Sequence, residues 1–355
     1  MEHEATPPRA RPNLAAVAAL AGVSSSTASL AFSGSGPVSA ATRKRVLAAA
    51  AQLDYAGPDP RAQSLRRGRS GIIGVVIEDR LRDAFRDPMN IAMLDGIADE
   101  TGSLGAGLLL LTENGEGAAS IRNAPVDAVV LIGCSTSLAA QVEIFRQRGI
   151  ALVAIEAEPM DDVLAIDLDN RRATRTLASH LADLGHRRVG LVTLPLDAGH
   201  TRGPLTEAAI TASTGFTALE RIRGAREVFA DAPGEMAAVS SIEEGLVAGL
   251  AMLSDPEERP TAVIAQSDLL AVGVIRAAEQ LSLEVPGDVS IVGFDGVKLD
   301  GLASYDLTTM VQPAVEKGRA AGRGVIALLG GEHPAGVSFT ARFHRGTTTG
   351  PPRIH

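Results

Sequence analysis

The hydrophobic pattern of this chain changes its period at Gly71, and nothing else in the sequence limits the possible folds as strongly. Beyond that point short β-branched runs alternate with stretches of helical spacing. The runs Ile72–Ile77, Leu108–Leu111, Ala128–Ile132, Ala151–Ile155, Arg188–Val192, Arg226–Phe229, Ala262–Ala265 and Ser290–Val292 are the expected strands. Between them, Asn90–Thr101, Arg171–Leu184, Ile242–Leu253 and Leu270–Gln280 space their apolar residues as helices do. Apolar strands separated by helices form parallel sheets covered on both faces. The strands outnumber what one open sheet usually needs, so two α/β halves are expected. Hydrophobic residues make up 45% of the chain, enough for large cores, but aromatics only 3%, with no Trp. Ala, Leu, Val and Ile must therefore fill the interior.

Before Gly71 the pattern is helical. Asn13 opens NLAAVAALAGVS, which places Leu14, Val17, Ala18 and Ala21 at helical spacing. Asn is a good N-cap, and Gly22 suits a left-handed C-terminal stop. Ser24 caps a second segment from Ser25 to roughly Phe32. Ser39 caps a third, Thr42 to Leu53, with Val46, Leu47, Ala50 and Leu53 on one face. Helix, glycine-containing tight turn and helix are the marks of a helix-turn-helix, which the third helix can support. Ser25, Ser26, Thr27 and Ser29 put short hydroxyls at the N-terminal end of the second helix, where they can bond phosphates and base edges. An ordinary capped surface helix is the plainer alternative. Arg43, Lys44 and Arg45 add a basic cluster at the start of the third helix.

Charge divides at the same place. Residues 1–70 carry nine basic and four acidic side chains, a formal +5, while the whole chain carries −9, leaving −14 for the remainder. That contrast suits a small module that meets a polyanion, joined to an acidic body; a basic surface tail is the other reading.

The stretch AGVSSSTASLAFSGSGPVSAATRKRVLAAAAQLDY resembles the headpiece of the lactose-repressor and purine-repressor (LacI/GalR) family of transcription regulators. Ala21, Gly22, Val23, Ser24, Thr27, Ser29, Val38, Ser39, Thr42, Arg43, Val46, Ala49, Leu53 and Tyr55 all match its spacing. Three positions depart. Ala16 replaces the usual Asp, Leu30 stands where many members have a base-reading Arg, and Ser33 replaces the usual Asn. Specificity must then lean on Ser25, Ser26 and contacts to thymine methyls. The resemblance implies DNA contacts from Asn13, Ser24, Ser25, Ser26, Thr27, Ser29, Leu30, Ser39, Thr42, Arg43 and Tyr55.

After Tyr55, Gly57, Pro58 and Pro60 break the helix, and Asp59 can cap a short segment that begins at Pro60. Arg61 to Arg67 is too short to be a stable helix in isolation. The segment resembles the family's hinge helix, whose A-x-S-L leucine wedges into the minor groove; here it reads Ala62, Gln63, Ser64, Leu65, with Arg61 and Ala62 beside the wedge. A flexible linker is the alternative.

Residues 71–345 also resemble the family's regulatory core, built like a periplasmic sugar-binding protein, through LADLGHRRVGLV, AVIAQSDLLAVGVIRAAEQLSLEVPGDVSIVGFDG, LTTMVQP and FHRGTTT. The expected organisation is an all-α helix-turn-helix headpiece over 13–57, a hinge over 58–70, and a parallel-sheet α/β core for ligand binding and dimerisation over 71–345. Its two subdomains would comprise about 71–169 plus 314–341, and 170–311 plus 342–349. Ligands of open α/β sheets sit beyond the carboxyl ends of the strands, which selects Asp79, Asp268 and Asp295. The family pattern agrees for Asp268 and Asp295, and matches Arg221 to a ligand-contacting Arg whose fork suits a hydroxylated or anionic ligand. Phe85, in the FRDPMN segment, is a candidate to stack on one ligand face. Helix capping or a surface ion pair is the competing role for these charged residues.

The single Cys134 excludes an internal disulfide and a multi-cysteine zinc site, and lies in an apolar stretch that suits a buried thiol. His186 of GHRRVG has no partner at metal-ligand spacing, so it reads as a loop cap. No G-x-S-x-G, Walker loop or H-E-x-x-H occurs, and neither catalysis, a cofactor nor a metal is expected. No apolar run reaches membrane-spanning length, and Met1–Pro12 lacks a signal peptide's apolar segment, so a cytoplasmic protein with no membrane partner is expected. Its partners would be double-stranded operator DNA, a small polar, sugar-like effector and a second copy in a homodimer, with a tetramer left open. The competing functions are an exported-type solute-binding protein and a repressor that needs no ligand; a sugar-modifying enzyme would need an acid/base pair that cannot be identified.

Overall fold

A computed structural model of the chain describes residues 12–34, 36–57, 68–77, 85–112, 121–132, 138–298 and 305–353. It divides into two compact units, Met1–Ser70 and Gly71–His355.

The first unit holds helices α1 (Leu14–Ala21), α2 (Ser25–Ser33) and α3 (Ala40–Gln52). The side chains of Asn13, Ser24 and Ser39 accept the amides of Ala16, Thr27 and Thr42 at 2.9, 3.1 and 3.1 Å, satisfying one orphan donor in each first turn. Gly22 ends α1 at φ 66°, a conformation that costs glycine little, and α1 and α2 cross at 101°. Val17, Ala18 and Ala21 meet Ala28 and Ala31 of α2 and Val46, Ala49 and Ala50 of α3 in one core. Because that core is mostly alanine, the helices approach closely. Phe32 closes its rim edge-on to Tyr55, with ring centroids 5.7 Å apart.

The second unit contains two sheets. One is wholly parallel, in the order β12-β5-β4-β3-β1-β2 (β1 Ile72–Ile77, β2 Gly107–Thr112, β3 Ala128–Ile132, β4 Ala151–Ile155, β5 Val163–Leu168, β12 Val337–Phe339). The other runs β13-β11-β10-β9-β6-β8-β7 (β6 Val189–Thr193, β7 Gly203–Pro204, β8 Gly234–Met236, β9 Ala262–Ala265, β10 Ser290–Asp295, β11 Thr308–Val311, β13 Arg342–His344), antiparallel at both edges. The helices are α4 (Pro88–Thr101), α5 (Leu138–Gln147), α6 (Asn170–Asp183), α7 (Glu207–Thr211), α8 (Phe216–Arg226), α9 (Ile242–Leu253), α10 (Asp268–Gln280) and α11 (Ala314–Leu329). Hydrophobic clusters cover both faces of both sheets, which is why the central strands read as unbroken apolar runs.

The chain passes between the lobes three times: from β5 to α6, from β11 to α11, and from β12 to β13. Asp169 ties the first passage to the third, since its amide donates to Phe339 O and its Oδ1 accepts the Ala341 amide. Against α4, α11 lies so close that a Cβ on Gly96 would fall 2.1 Å from Val315 O. Glycine is required there.

One expected strand is not one. Arg226–Phe229 is the end of α8 and the turn after it, with Val228 and Phe229 packed against a core cluster. A four-residue segment with only Val228 and Phe229 apolar carries no period long enough to separate a strand from a helix end. β5, β7, β8, β11, β12 and β13, by contrast, are strands beyond the expected set.

Candidate functional site

Each unit carries one candidate surface. In the first, Ala28 and Ala31 turn the apolar face of α2 inward, so the opposite face is left to Ser25 and Ser26, both exposed, Ser29, partly exposed, and Leu30, 36% exposed. Ser24 Oγ and Thr27 Oγ1 lie 2.9 Å apart, and Ser39 Oγ donates to Thr42 Oγ1 at 2.9 Å, so these hydroxyls brace the starts of α2 and α3. Arg43 leaves its Nε buried without a hydrogen-bond partner among the described residues. Asn13 and Tyr55 act locally as cap and aromatic rim. Arg61, Ala62 and Leu65 lie outside the described residues, as do Asp79 and Cys134.

The second surface is a cleft at the carboxyl ends of the strands. Its apolar walls include Ile77, Ile132 and Ile155 of the first lobe, Met89 and Met93 of α4, and Leu194 and Pro195 of the second lobe. Asp87, Glu156, Arg221, Ser240, Ser267, Asp295 and Gln312 supply polar groups. The cavity volume is about 80 Å³.

Arg221 is the most constrained of these, at 2% exposure. Its Nε donates to Asn170 Oδ1 at 2.8 Å and its Nη1 to Gln266 O, while its guanidinium carbon lies 3.7 Å from the centroid of the Phe294 ring. Glu156 Oε2 is 3.6 Å and Asp295 Oδ1 3.9 Å from its terminal nitrogens. Glu156 also accepts Asn170 Nδ2 at 2.8 Å and the buried Lys317 Nζ. Burial would raise its carboxyl, but the fields of Lys317 and Arg221, with hydrogen bonds from Lys317 and Asn170, outweigh this and hold it below its ordinary value.

Asp295 ends β10 at φ 124° and Glu156 follows β4 at φ 56°. Two cleft carboxylates therefore occupy backbone conformations that residues with a Cβ rarely adopt, a strain tolerated where a side chain must be aimed. Asp295 Oδ1 accepts Gln312 Nε2 at 2.7 Å, and no described residue donates to Oδ2. Burial raises this carboxyl well above its ordinary value; Arg221 opposes the rise, and Asp268 and Asp87 reinforce it.

The structure brings Arg221 and Asp295 together but not Asp268 or Phe85. Asp268 lies behind the lining. Its Oδ2 accepts the Gly296 and Val297 amides at 2.7 and 2.9 Å and its Oδ1 accepts Thr309 Oγ1 at 2.6 Å, so its acceptor sites are taken by the protein. Burial pushes its carboxyl up to about 7 against those three bonds. Phe85 is 57% exposed and is not part of the cleft wall. Glu156, Gln312, Asp87 and Lys317 are additions. Glu156 directly follows an expected strand, so the strand-end rule already pointed to it; Gln312 ends LTTMVQ.

His186 is a structural lock, with Nδ1 2.9 Å from Thr261 Oγ1 and Nε2 2.9 Å from Gly350 O. No cluster of three metal-ligating side chains occurs among the described residues. No single helix among them is long and apolar enough to cross a membrane.

A helix-turn-helix unit followed by a two-lobed α/β core with a polar cleft defines a class, the bacterial regulators that pair a DNA-reading head with a binding-protein core. Residues 13–57 match the family described as bacterial regulatory proteins, lacI family, and residues 178–349 match the periplasmic binding protein-like domain. The chain is 33% identical to an HTH-type transcriptional regulator of Mycobacterium tuberculosis, over 97% of its own length and 99% of that protein's. It is 31% identical to the HTH-type transcriptional regulator IpsA of Corynebacterium glutamicum, with 95% and 97% covered. A LacI-family transcriptional regulator from Corynebacterium glutamicum shares its structure with a TM-score of 0.70 at 28% identity, over 94% of this chain and 98% of the other. The fold is also that of the lac repressor dimer bound to operator and the anti-inducer ONPF, with a TM-score of 0.77, 22% identity and 96% and 100% covered. The chain belongs to the lacI family of bacterial regulatory proteins, and is a ligand-responsive, DNA-binding transcription regulator.

Proposed function

We propose that this regulator binds a near-palindromic operator as a homodimer and leaves it when a small, neutral, hydroxylated molecule fills the cleft. Ser25, Ser26 and Leu30 would meet base edges in the major groove, with Leu30 against a thymine methyl. Asn13, Ser24, Thr27, Ser29, Ser39, Thr42, Arg43 and Tyr55 would hold phosphates or brace the groups that do. Leu65 would enter the minor groove at the operator centre, flanked by Arg61 and Ala62. The lac repressor solved with its operator is a dimer, which supports two heads on two half-sites.

The observation that carries the effector reading is the state of the cleft's hydrogen-bonding groups. Arg221 spends its Nε and Nη1 on Asn170 and Gln266, whereas Asp295 Oδ2 is given no donor by any described residue. Spare acceptors favour a ligand rich in hydroxyl donors over an anion. A volume of about 80 Å³ holds roughly six waters at 10–15 Å³ each, space for one monosaccharide-sized molecule. Effector and operator affinities must then be reciprocally linked.

The test is capture and sequencing of genomic fragments bound by the purified protein, repeated with pooled neutral sugars and polyols. Enrichment of near-palindromic sites that fades with one pool is the expected result. Enrichment that no pool alters would favour a repressor without a ligand, and no enrichment at all would refute operator binding.

A further inference from the structure

Lys317 lies on α11, 0% exposed, and its ammonium donates to Glu156 Oε1 and Gln312 Oε1. A buried ammonium is costly and needs a compensating reason. A lysine only donates, an ionised carboxylate only accepts, and a carboxamide does one at each end. Those rules propagate through the cleft floor. Since Gln312 must accept with Oε1, its Nε2 is the end that faces Asp295, where it donates at 2.7 Å. Since Glu156 accepts from Lys317 with Oε1, its Oε2 is left for Asn170 Nδ2 at 2.8 Å. Asn170 is thereby turned to accept Arg221 Nε with its Oδ1 at 2.8 Å.

We propose that Lys317 is the positioning residue of this cleft, a donor-only group that fixes the direction of the hydrogen bonds running through Gln312 to Asp295 and through Glu156 and Asn170 to Arg221. Reversal of either carboxamide would set like against like. A turned Gln312 would set Nε2 against the Lys317 ammonium, and a turned Asn170 would aim Nδ2 at Arg221. The outcome is a cleft whose arginine is held by the protein through Nε and Nη1 and whose Asp295 Oδ2 accepts from no described residue. Gln312 and Asn170 stand at two of the three passages between the lobes, so the same residue ties the lining to the pivots. The consequence for an effector rests on the cleft being the effector site; the hydrogen-bond directions do not.

The experiment uses the full-length protein, free of DNA and sugar, labelled with ¹⁵N in Asn and Gln side chains and ¹³C in Asp carboxyls. In the unaltered protein the Gln312 and Asn170 amide protons should exchange slowly with solvent. Freely exchanging Gln312 protons there would overturn the proposal without any variant. Lys317→Met should melt well below the parent, because Glu156 is left without its counter-ion. Lys317→Met/Glu156→Gln removes both charges and should recover much of that loss. In the double variant the Gln312 amide should exchange at least tenfold faster and Asp295 should titrate at higher pH, having lost a fixed donor. A refolded double variant with parental Gln312 exchange and parental Asp295 titration would reduce Lys317 to a counter-ion and end the proposal. A failure of the operator or sugar experiments would leave these readouts unaffected, so the two ideas fail separately.

Discussion

The guanidinium carbon of Arg221 lies 3.7 Å from the centroid of the Phe294 ring, a cation–π contact that adds to its hydrogen bonds in holding the cation. The ring covers one face of the guanidinium, while Asn170 and Gln266 take one N–H each from Nε and Nη1. An arginine so held is part of the wall. Lysine cannot reproduce a planar fork that stacks and donates in two directions.

Arg221→Lys is therefore expected to cost about 2–4 kcal/mol, the sum of a desolvated cation–π contact and a buried acceptor left unpaired. Chemical denaturation of parent and variant checks this, and a loss below about 0.5 kcal/mol would contradict the packing described.

Asp295→Ala should abolish release by effector while leaving operator affinity within a few fold. Fluorescence anisotropy with a labelled operator, with and without the sugar pool that dissociates the parent, is the measurement. Unchanged release would remove Asp295 from the effector site.

Stability should fall as pH rises through neutrality. Asp268 is pushed up to about 7 and Asp295 is raised by burial, so both carboxyls ionise less readily in the folded chain than in the unfolded one. A group raised above its unfolded value contributes fully below that value, near pH 4, and its contribution is lost as pH climbs through the folded one. For Asp268 this window is roughly pH 4 to 7 and its depth is on the order of 4 kcal/mol at most. Glu156, held low, opposes the trend only in acid, where its own contribution is lost. Melting temperatures from pH 5 to 8 should decline in the parent and flatten in Asp268→Asn.

Operator affinity should drop steeply with salt, because phosphate contacts release counterions. Arg43→Ala should lower affinity about equally for all sequences and reduce the magnitude of the salt slope by about one. A slope equal to the parent's would mean that Arg43 meets no phosphate.

Leu65→Ala should bind operator without bending it, if the leucine acts as a wedge. Circular-permutation gel shifts read the angle; an unaltered bend in a folded variant would assign the distortion to other residues.

Local signals made much of this legible. The caps at Asn13, Ser24 and Ser39 are set by bonds three residues long, so the headpiece could be read almost residue by residue. The central strands were equally plain, because strands buried on both faces read as continuous apolar runs. The cleft was half visible. Arg221 and Asp295 follow from pattern and strand ends, but Asp268, an acid in an equally promising place, turns its oxygens to Gly296, Val297 and Thr309. Strand position cannot say which way a carboxylate faces. Lys317 was invisible for a different reason, since its partner Glu156 is 161 residues away and a lysine on a helix normally points to water.

The threefold passage of the chain between the lobes has a consequence for synthesis. Neither sheet is complete until its last edge strand, β12 or β13, has been made, near the end of the polypeptide. The three-helix head needs nothing beyond about residue 57. On the ribosome, a surface built to grip nucleic acid therefore exists well before the part that governs its release. Fragments that end between α11 and β13 should keep the head and lose the ability to let go.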